Sequence, residues 1–409
     1  MFDDDPKKPA YLLQCMMDNM SDMIYFKDLN SRFIMVNKAA AEWQGGCAPE
    51  QMVGKSEFDF YSEEDARRMR HDELHIIQTG ESLFGLEEGE TWKDGSHAWV
   101  STTKMPLRDH NGEIIGIFGI SRDITEHKEA EIRAARYAEE NRRFREALED
   151  DLLMASQLQK TFFPTSYPSF SSPDGRGGEA VEFHHFHRPG GVIGGDLCSI
   201  RRLTATEVGI FLCDVMGHGI RAALGTSIVR AMVEEISLRE KDPGRFLRHM
   251  NQVLMPLFRQ DDLFLYATAC YMVLDVSTGQ VRFANAGHPL PIHLDARNGR
   301  VKSFLQEQAT IGPGLAIEEG ASYQTFGGRV CPGDVVFMHT DGINEVVDPE
   351  DEEYGEERLL LSARRHMALP LPGLFSALYD DARAFGQVDA VEDDVCLVGF
   401  RLDQLPSGL

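Results

Sequence analysis

The chain has little cysteine, no long apolar run and no excess of basic residues, and each shortage removes a class of protein. Its seven cysteines, at 15, 47, 198, 213, 270, 331 and 396, include no Cys-x-x-Cys pair. Neither a disulfide framework nor a thiolate zinc site is therefore expected. Several fall inside apolar strand-like runs, where cysteine serves as a small hydrophobe. No uninterrupted apolar stretch reaches the roughly 18 residues of a membrane span; Ile114 to Ile120 is among the longest, and glycines break it. The start, Met1-Phe2-Asp3-Asp4-Asp5, is acidic and lacks the basic and apolar regions of a signal peptide. The expectation is a cytoplasmic protein without membrane contact. With 41 Lys and Arg against 66 Asp and Glu, the formal net charge is −25, which argues against a nucleic-acid partner.

What is present divides into three segments, as 409 residues are long for one core. From about Tyr11 to Thr125 the pattern is mixed α+β. Met23-Ile24-Tyr25-Phe26 and Phe33-Ile34-Met35-Val36 predict two short strands around a turn at 27–32. Glu63 to Gln78 predicts a helix that Gly80 stops. Alternating segments follow around 82–90, 97–106 and 114–121, with Asp109-His110-Asn111-Gly112 as a hairpin turn.

This first segment resembles a PAS sensor domain. The resemblance is carried by Ser21-Asp22-Met23-Ile24-Tyr25-Phe26-Lys27-Asp28, Val36-Asn37-Lys38-Ala39, Gly54-Lys55-Ser56 and the closing Gly116-Ile117-Phe118-Gly119-Ile120-Ser121-Arg122-Asp123-Ile124-Thr125. It implies an antiparallel sheet with helices over residues 1–125 and leaves the PAS ligand unknown. A flavin-thiol photoreceptor would want a cysteine where Glu57 stands. A haem would need an axial histidine, for which His71, with His75 four residues on, is the candidate.

Residues 126–163 are rich in Glu, Arg, Ala and Leu and contain neither glycine nor proline. Ala130, Ala134, Tyr137, Asn141, Phe144, Leu148, Asp151, Ala155, Leu158 and Phe162 follow steps of four and three, the seam of a coiled coil. Asn141 on that seam favours a defined register and a homodimer, while Asp151 loosens it. The competing reading is a single helix packed on a neighbouring domain.

The third segment, 164–409, opens with a loop to Gly178 rich in Ser, Pro and Gly. Strand-like runs follow at 181–187, 208–214, 266–276, 281–286, 335–340 and 395–402, with helical stretches at 220–238, 243–259, 358–366 and 372–385. Four carboxylate motifs stand at the edges of apolar runs. They are Gly194-Gly195-Asp196, Asp214-Val215-Met216-Gly217-His218-Gly219, His339-Thr340-Asp341-Gly342 and Asp393-Asp394-Val395. Aspartates at strand ends can converge, and converging carboxylates repel one another unless cations neutralise them. Hard oxygen donors suit magnesium or manganese.

These motifs, together with Gln157-Leu158-Gln159-Lys160-Thr161-Phe162-Phe163-Pro164, Arg188-Pro189-Gly190-Gly191-Val192-Ile193 and Ala284-Asn285-Ala286-Gly287-His288-Pro289, resemble in their order a PPM-type serine/threonine phosphatase of the SpoIIE branch. The resemblance implies an α-β-β-α sandwich with two Mn2+ or Mg2+ ions at the sheet edge. On the family's pattern Asp214 bridges both ions, and Asp341 and Asp393 complete one. Asp196 and the Val215 backbone carbonyl serve the other, partly through water, and Asp394 adjoins Asp393 and could take its place. The implied substrate is a phosphoserine or phosphothreonine on an anti-anti-sigma-type (STAS) protein. The segment from Leu158 to Pro164 resembles the family's regulatory segment, so the first domain is expected to act through the linker.

Two positions depart from the pattern. Ser199 replaces a second acid three residues after Asp196. Met216 stands where the eukaryotic branch has a histidine, leaving His218 as the candidate general acid or, alternatively, a structural residue at a helix start. The run His184-His185-Phe186-His187 has no carboxylate or cysteine to complete a metal set and is read as ordinary strand histidines; His288 is read as a turn brace. Gly194-Gly195-Asp196 also matches the start of the diguanylate cyclase signature, but that continues Glu-Phe and this chain continues Leu197-Cys198. The rival functions are a catalytically silent binding module for the same partner and a small-phosphoester hydrolase.

Overall fold

The alternating segments of the first 125 residues form the strands they predict. Helix α1 (Pro9–Asn19) leads to β1 (Met23–Asp28), β2 (Phe33–Val36), α2 (Lys38–Trp43), α3 (Pro49–Met52) and α4 (Glu63–Thr79). The strands β3 (Leu83–Thr91), β4 (His97–Arg108) and β5 (Ile114–Asp123) follow. They form one antiparallel sheet in the order β2-β1-β5-β4-β3. Ser62 caps α4 by accepting the Asp65 N–H, and Gly80 ends it in the left-handed region at φ 72°. The computed structural model describes residues 9–171, 179–260, 263–304 and 311–405. The acidic start and residues 172–178 of the Ser/Pro/Gly-rich loop lie outside the described residues. The chain divides into two compact units, 1–145 and 146–409.

In the first unit the alternation of β4 turns Ala98, Val100, Thr102 and Lys104 inward, so this strand buries a lysine. Lys27 on β1 is also fully buried and pairs with Glu57 and Glu73. Burial pulls the Lys27 ammonium down to about 8, against the opposing pull of Glu73. Around these charges, Tyr25, Tyr61, Glu88, Glu90 and Lys104 line a cavity of about 30 Å³, room for one or two waters. Trp43 and Tyr61 donate to Glu90, whose carboxyl burial raises above the usual range. The His71 side chain is 86% exposed, and no histidine is among the described residues that line this cavity.

Removing one partner of a buried ion pair leaves a charge without compensation. Glu73→Leu is therefore expected to lower the stability of the first unit by about 3 kcal/mol, roughly 10 °C in midpoint. Trp43, Trp92 and Trp99 are the chain's three tryptophans, so tryptophan fluorescence during heating reads this unit alone. An unchanged midpoint would mean that Glu57 suffices for Lys27.

Helix α5 (Thr125–Lys160) runs 36 residues without a break. Of the seam positions, Tyr137, Phe144, Leu148 and Leu158 are exposed.

The second unit has strands buried on both faces, which is why its apolar runs are nearly continuous. Its elements are β6 (Val181–Arg188), β7 (Asp196–Arg202), β8 (Glu207–Val215), α6 (Ile220–Ile236) and α7 (Pro243–Phe258). A minor hairpin of β9 (Arg259–Gln260) and β10 (Leu263–Phe264) precedes β11 (Ala267–Asp275), β12 (Gln280–Ala286), β13 (Ile292–Asp295) and β14 (Arg300–Ser303). Then come β15 (Phe326–Arg329), β16 (Val335–His339), α8 (Gly355–His366), α9 (Leu371–Gly386) and β17 (Val395–Leu402). Two five-stranded sheets form, ordered β15-β12-β11-β8-β7 and β14-β13-β16-β17-β6.

Side chains such as Cys198, Ile210, Met272, Phe283, Val336, Met338 and Phe400 fill the layer between the sheets. The alternate residues of the first sheet, including Leu197, Phe211 and Tyr271, meet Val229, Phe246 and Leu254 of α6 and α7. Those of the second, including Phe337 and Leu397, meet Leu359, Phe375 and Leu378 of α8 and α9. The result is the expected α-β-β-α sandwich. Strands β7, β13, β14 and β15 were not among the predicted runs. Three of them span four residues with at most two apolar ones, and β7 interrupts its apolar residues with Ser199, Arg201 and Arg202. Among the described residues no helix is long and apolar enough to cross a membrane.

Candidate metal centre

Antiparallel pairing of β7 with β8 sets Asp196 directly opposite Asp214. From the other sheet, β16 ends at His339 and delivers Thr340 and Asp341, while Asp393 and Asp394 immediately precede the paired strand β17. Thr340 joins the two sheets at this edge. Its hydroxyl donates to Asp196 Oδ2 at 2.9 Å and accepts the Cys396 N–H at 2.9 Å. Sequence reasoning passed over Thr340, although it sits inside one of the quoted motifs; only the packing of the sheets shows what it binds.

The adjacent aspartates have different surroundings. Asp394 is 8% exposed and accepts the main-chain N–H groups of Gly190 and Gly195, so its carboxylate pins the loop that leads into β7. Asp393 is exposed and accepts the Asp394 N–H at 2.7 Å. The glycines are needed for this closeness. A side chain on Gly194 would overlap the Asp394 carboxylate, and one on Gly195 would overlap the Val215 carbonyl oxygen and lie 2.9 Å from Asp214 Oδ1. Gly195 thus lies against both of these oxygens.

A further brace comes from helix α5. Gln159, 6% exposed, donates from Nε2 to the Gly194 carbonyl at 2.6 Å and accepts the Gly194 N–H at 3.1 Å. Thr226 on α6 donates to the Gly195 carbonyl at 3.2 Å. Both residues steady the loop that carries Asp196, and sequence pattern alone names neither as a contact.

The electrostatics are those of crowded carboxyls. Burial, then the charges of Asp214 and Asp394, hold the Asp196 carboxyl well above its usual range. Burial and the charges of Asp341, Asp393 and Asp394 push Asp214 up to about 7. Asp341 is raised by burial and by Asp393, and Glu345 by burial and by Asp341 and Asp393. Glu345 was absent from the sequence reading because it belongs to no motif; the turn Asp341–Ile343 brings it to the edge. Asp196 Oδ1 is buried and has no hydrogen-bond partner among the described residues.

No three His, Cys, Asp or Glu side chains among the described residues are drawn together tightly enough to hold an ion by themselves. An ion here would draw on main-chain and water oxygens as well, as magnesium commonly does. The donor set is all oxygen, one buried carboxylate oxygen lacks a partner, and the carboxyls raise one another. These properties suit small, hard divalent cations.

His218 is exposed on the turn between β8 and α6, flanked by Gly217 and Gly219 at φ 87° and 76°. Strand parity places Ser199 with Leu197 on the helix-covered face of β7, opposite to Cys198 and Ile200. His288 is buried and shares a hydrogen bond between its Nδ1 and Thr268 Oγ1. Asn285 closes the turn beside it, accepting the His288 N–H and donating to the His288 carbonyl. His185 and His187 lie in β6, stacked against Phe163.

Residues 204–403 match the family described as Stage II sporulation protein E, and residues 17–129 match the PAS fold family. The methanogenesis regulatory histidine kinase FilI of Methanothrix harundinacea is 36% identical over 114 residues, 28% of this chain and 12% of that protein. The phosphoserine phosphatase RsbP of Bacillus subtilis is 23% identical over 221 residues, 54% of this chain. The chain spans 52% of RsbP, about half its length. Among solved structures, the SiaA-PP2C domain of Pseudomonas aeruginosa aligns with a TM-score of 0.53 at 21% identity, covering 63% of this chain and 98% of that one. At that identity the likeness speaks for the fold, which is the sandwich described above. The chain joins a PAS domain to a PPM-type phosphatase domain of the SpoIIE branch.

Proposed function

We propose that the chain is a signal-regulated, metal-dependent serine/threonine protein phosphatase. The observation that carries this reading is the convergence of Asp196, Asp214, Asp341 and Asp393 from two sheets on one edge, with the Val215 carbonyl beside Asp214. Asp214 would face two Mn2+ or Mg2+ ions. Asp341 and Asp393 would hold one, and Asp196 with the Val215 carbonyl the other, partly through water. Asp394, with its oxygens on main-chain N–H groups, acts as a brace. When bound, two such cations supply the charge that makes water nucleophilic at neutral pH and that neutralises a phosphate in line.

The chain's own residues do the rest. Thr340, Gln159, Thr226 and Asp394 hold the carboxylates and the Gly194-Gly195 loop in place, so little reorganisation is needed as charge develops. His218, exposed beside the edge, would give a proton to the departing seryl or threonyl oxygen. The substrate proposed is a phosphorylated STAS-type protein. Two copies of the chain would pair along the exposed apolar seam of residues 126–163, with residues 1–125 as the sensor and 164–409 as the phosphatase.

The reading is tested by phosphate release from a phosphoserine peptide and from p-nitrophenyl phosphate with and without Mn2+. Release of both that needs the metal supports it. No release with Mn2+ or Mg2+ would leave a silent binding module instead. His218→Ala is expected to slow a seryl phosphate by about 10²-fold and p-nitrophenyl phosphate hardly at all, because a good leaving group needs no proton. Equal slowing of both substrates would remove His218 from that role.

A further inference from the structure

The histidine run of β6 has no part in the chemistry above, yet it faces a groove free of acidic residues in an acidic molecule. Ser156 and Lys160 of α5, Phe163, and His185, His187 and Arg188 are among the residues that line a space of about 470 Å³, and none of its lining residues is acidic. Lys160 and Arg188 are exposed and make no ion pair among the described residues. Arg188 lies over the Phe186 ring, 5.0 Å from its centroid. His187 stacks on Phe163 with centroids 4.1 Å apart. Its Nε2 is buried and finds no hydrogen-bond partner among the described residues.

The groove adjoins the carboxylate edge through the chain itself. Arg188 pairs in register with Val395, the residue after Asp394, and two residues beyond Arg188 the Gly190 N–H donates to Asp394 Oδ1 at 2.8 Å. A polypeptide whose phosphorylated side chain reaches the edge can therefore lay its flanking residues over Lys160 and Arg188. Neither cation is paired with a carboxylate among the described residues, Arg188 only donating to the His187 carbonyl at 3.3 Å, and His187 Nε2 has no partner among them. Burial, followed by the positive charges around it, Arg188 and Lys160 among them, lowers the His187 imidazole to about 4.

We infer that this groove docks the acidic flank of the phosphoprotein, so that the substrate's phosphorylated residue is bordered by Asp or Glu. This rests on the phosphatase reading and adds the charge class of the substrate. It also runs against the molecule's overall charge. A net charge of −25 by itself favours a basic peptide, but at physiological salt charges beyond about 8 Å are largely screened. Local contacts then decide.

The test uses the full chain with Mn2+ and two phosphoserine peptides of equal length, one flanked by Glu and one by Lys, with p-nitrophenyl phosphate alongside. The wild type is expected to favour the Glu peptide by about tenfold in kcat/KM, mainly through KM, and less at high salt. Lys160→Glu and Arg188→Gln, made separately, should each cut that preference severalfold. The ratio of the two peptides is read within each variant, so a general loss of activity does not obscure it, and Lys160 at the exposed end of α5 is safe to change. Equal or Lys-favouring turnover by the wild type, or an acidic preference that both variants keep, would overturn the groove. Failure of the wild type to hydrolyse even p-nitrophenyl phosphate would overturn the phosphatase reading instead.

Discussion

Asp214→Asn should cut Mn2+-dependent phosphate release by more than about 100-fold, since even partners one step removed from a bound metal typically cost 10–100-fold. The same substitution should make the metal-free protein more stable near pH 7.5. In the fold the Asp214 carboxyl is pushed up to about 7, against about 3.9 in an unfolded chain. Between those values the fold keeps a proton that the unfolded chain has released. The metal-free fold therefore loses stability as the pH rises from about 4 to about 7, and the penalty is complete above that. Asparagine carries no charge to bury beside Asp341, Asp393 and Asp394, so the variant lacks this component of the slope.

Calorimetry of the second unit without metal should place the variant about 5 °C above wild type at pH 7.5 and near it at pH 4. Saturating Mn2+ should reverse the order. Wild type gains about 2.7 kcal/mol at a hundred times its dissociation constant, and the variant gains little. A variant that is both inactive and less stable without metal at pH 7.5 would mean that Asp214 serves packing rather than ligation.

Gly195→Ala tests the same edge without altering a charge. Its Cβ would overlap the Val215 carbonyl and stand 2.9 Å from Asp214 Oδ1. Main chain cannot swing aside as a flexible side chain would. Relief would require parting β7 from β8 where the Val215 N–H meets the Gly195 carbonyl at 3.0 Å, or releasing Thr226 and Asp394 from the loop. The cost expected is about 1–3 kcal/mol of stability. The affinity for Mn2+ should fall with it, because the oxygens displaced are those proposed as ligands. Gly191→Ala in the same loop is the comparison. Its Cβ would have only the Ile193 carbonyl nearby, at 3.8 Å, and stability and Mn2+ affinity should stay near wild type. Similar losses in both variants would show that the loop responds to lost glycine flexibility in general, not to crowding at Gly195.

Much of this site is legible in the amino-acid sequence. Aspartates beside glycines at the ends of apolar runs announce close backbone approach and like-charge crowding, and their order along the chain announced the sandwich. Long strands such as Ala267–Asp275 and Val395–Leu402 were readable because both faces are buried and the runs are unbroken. The four-residue strands Ile292–Asp295, Arg300–Ser303 and Phe326–Arg329 were not, since each holds at most two apolar residues, whereas the unbroken apolar run of Phe33–Val36 was readable at the same length. His71 lies on the helix that the sequence predicts, but only the fold shows that its side chain is turned to solvent.

Residue type and spacing therefore determined which elements form and which chemistry their ends can support, because periodicity and backbone freedom are local properties. Pairing across sheets is not local. It decided that Thr340 ties Asp196 to Cys396, and that Gln159 grips Gly194 from 35 residues away. It decided also that Asp394 is buried and holds the loop while its neighbour Asp393 stays exposed. Two adjacent aspartates have the same chemistry in sequence; only the hydrogen bonds that the fold brings to each of them give them different work.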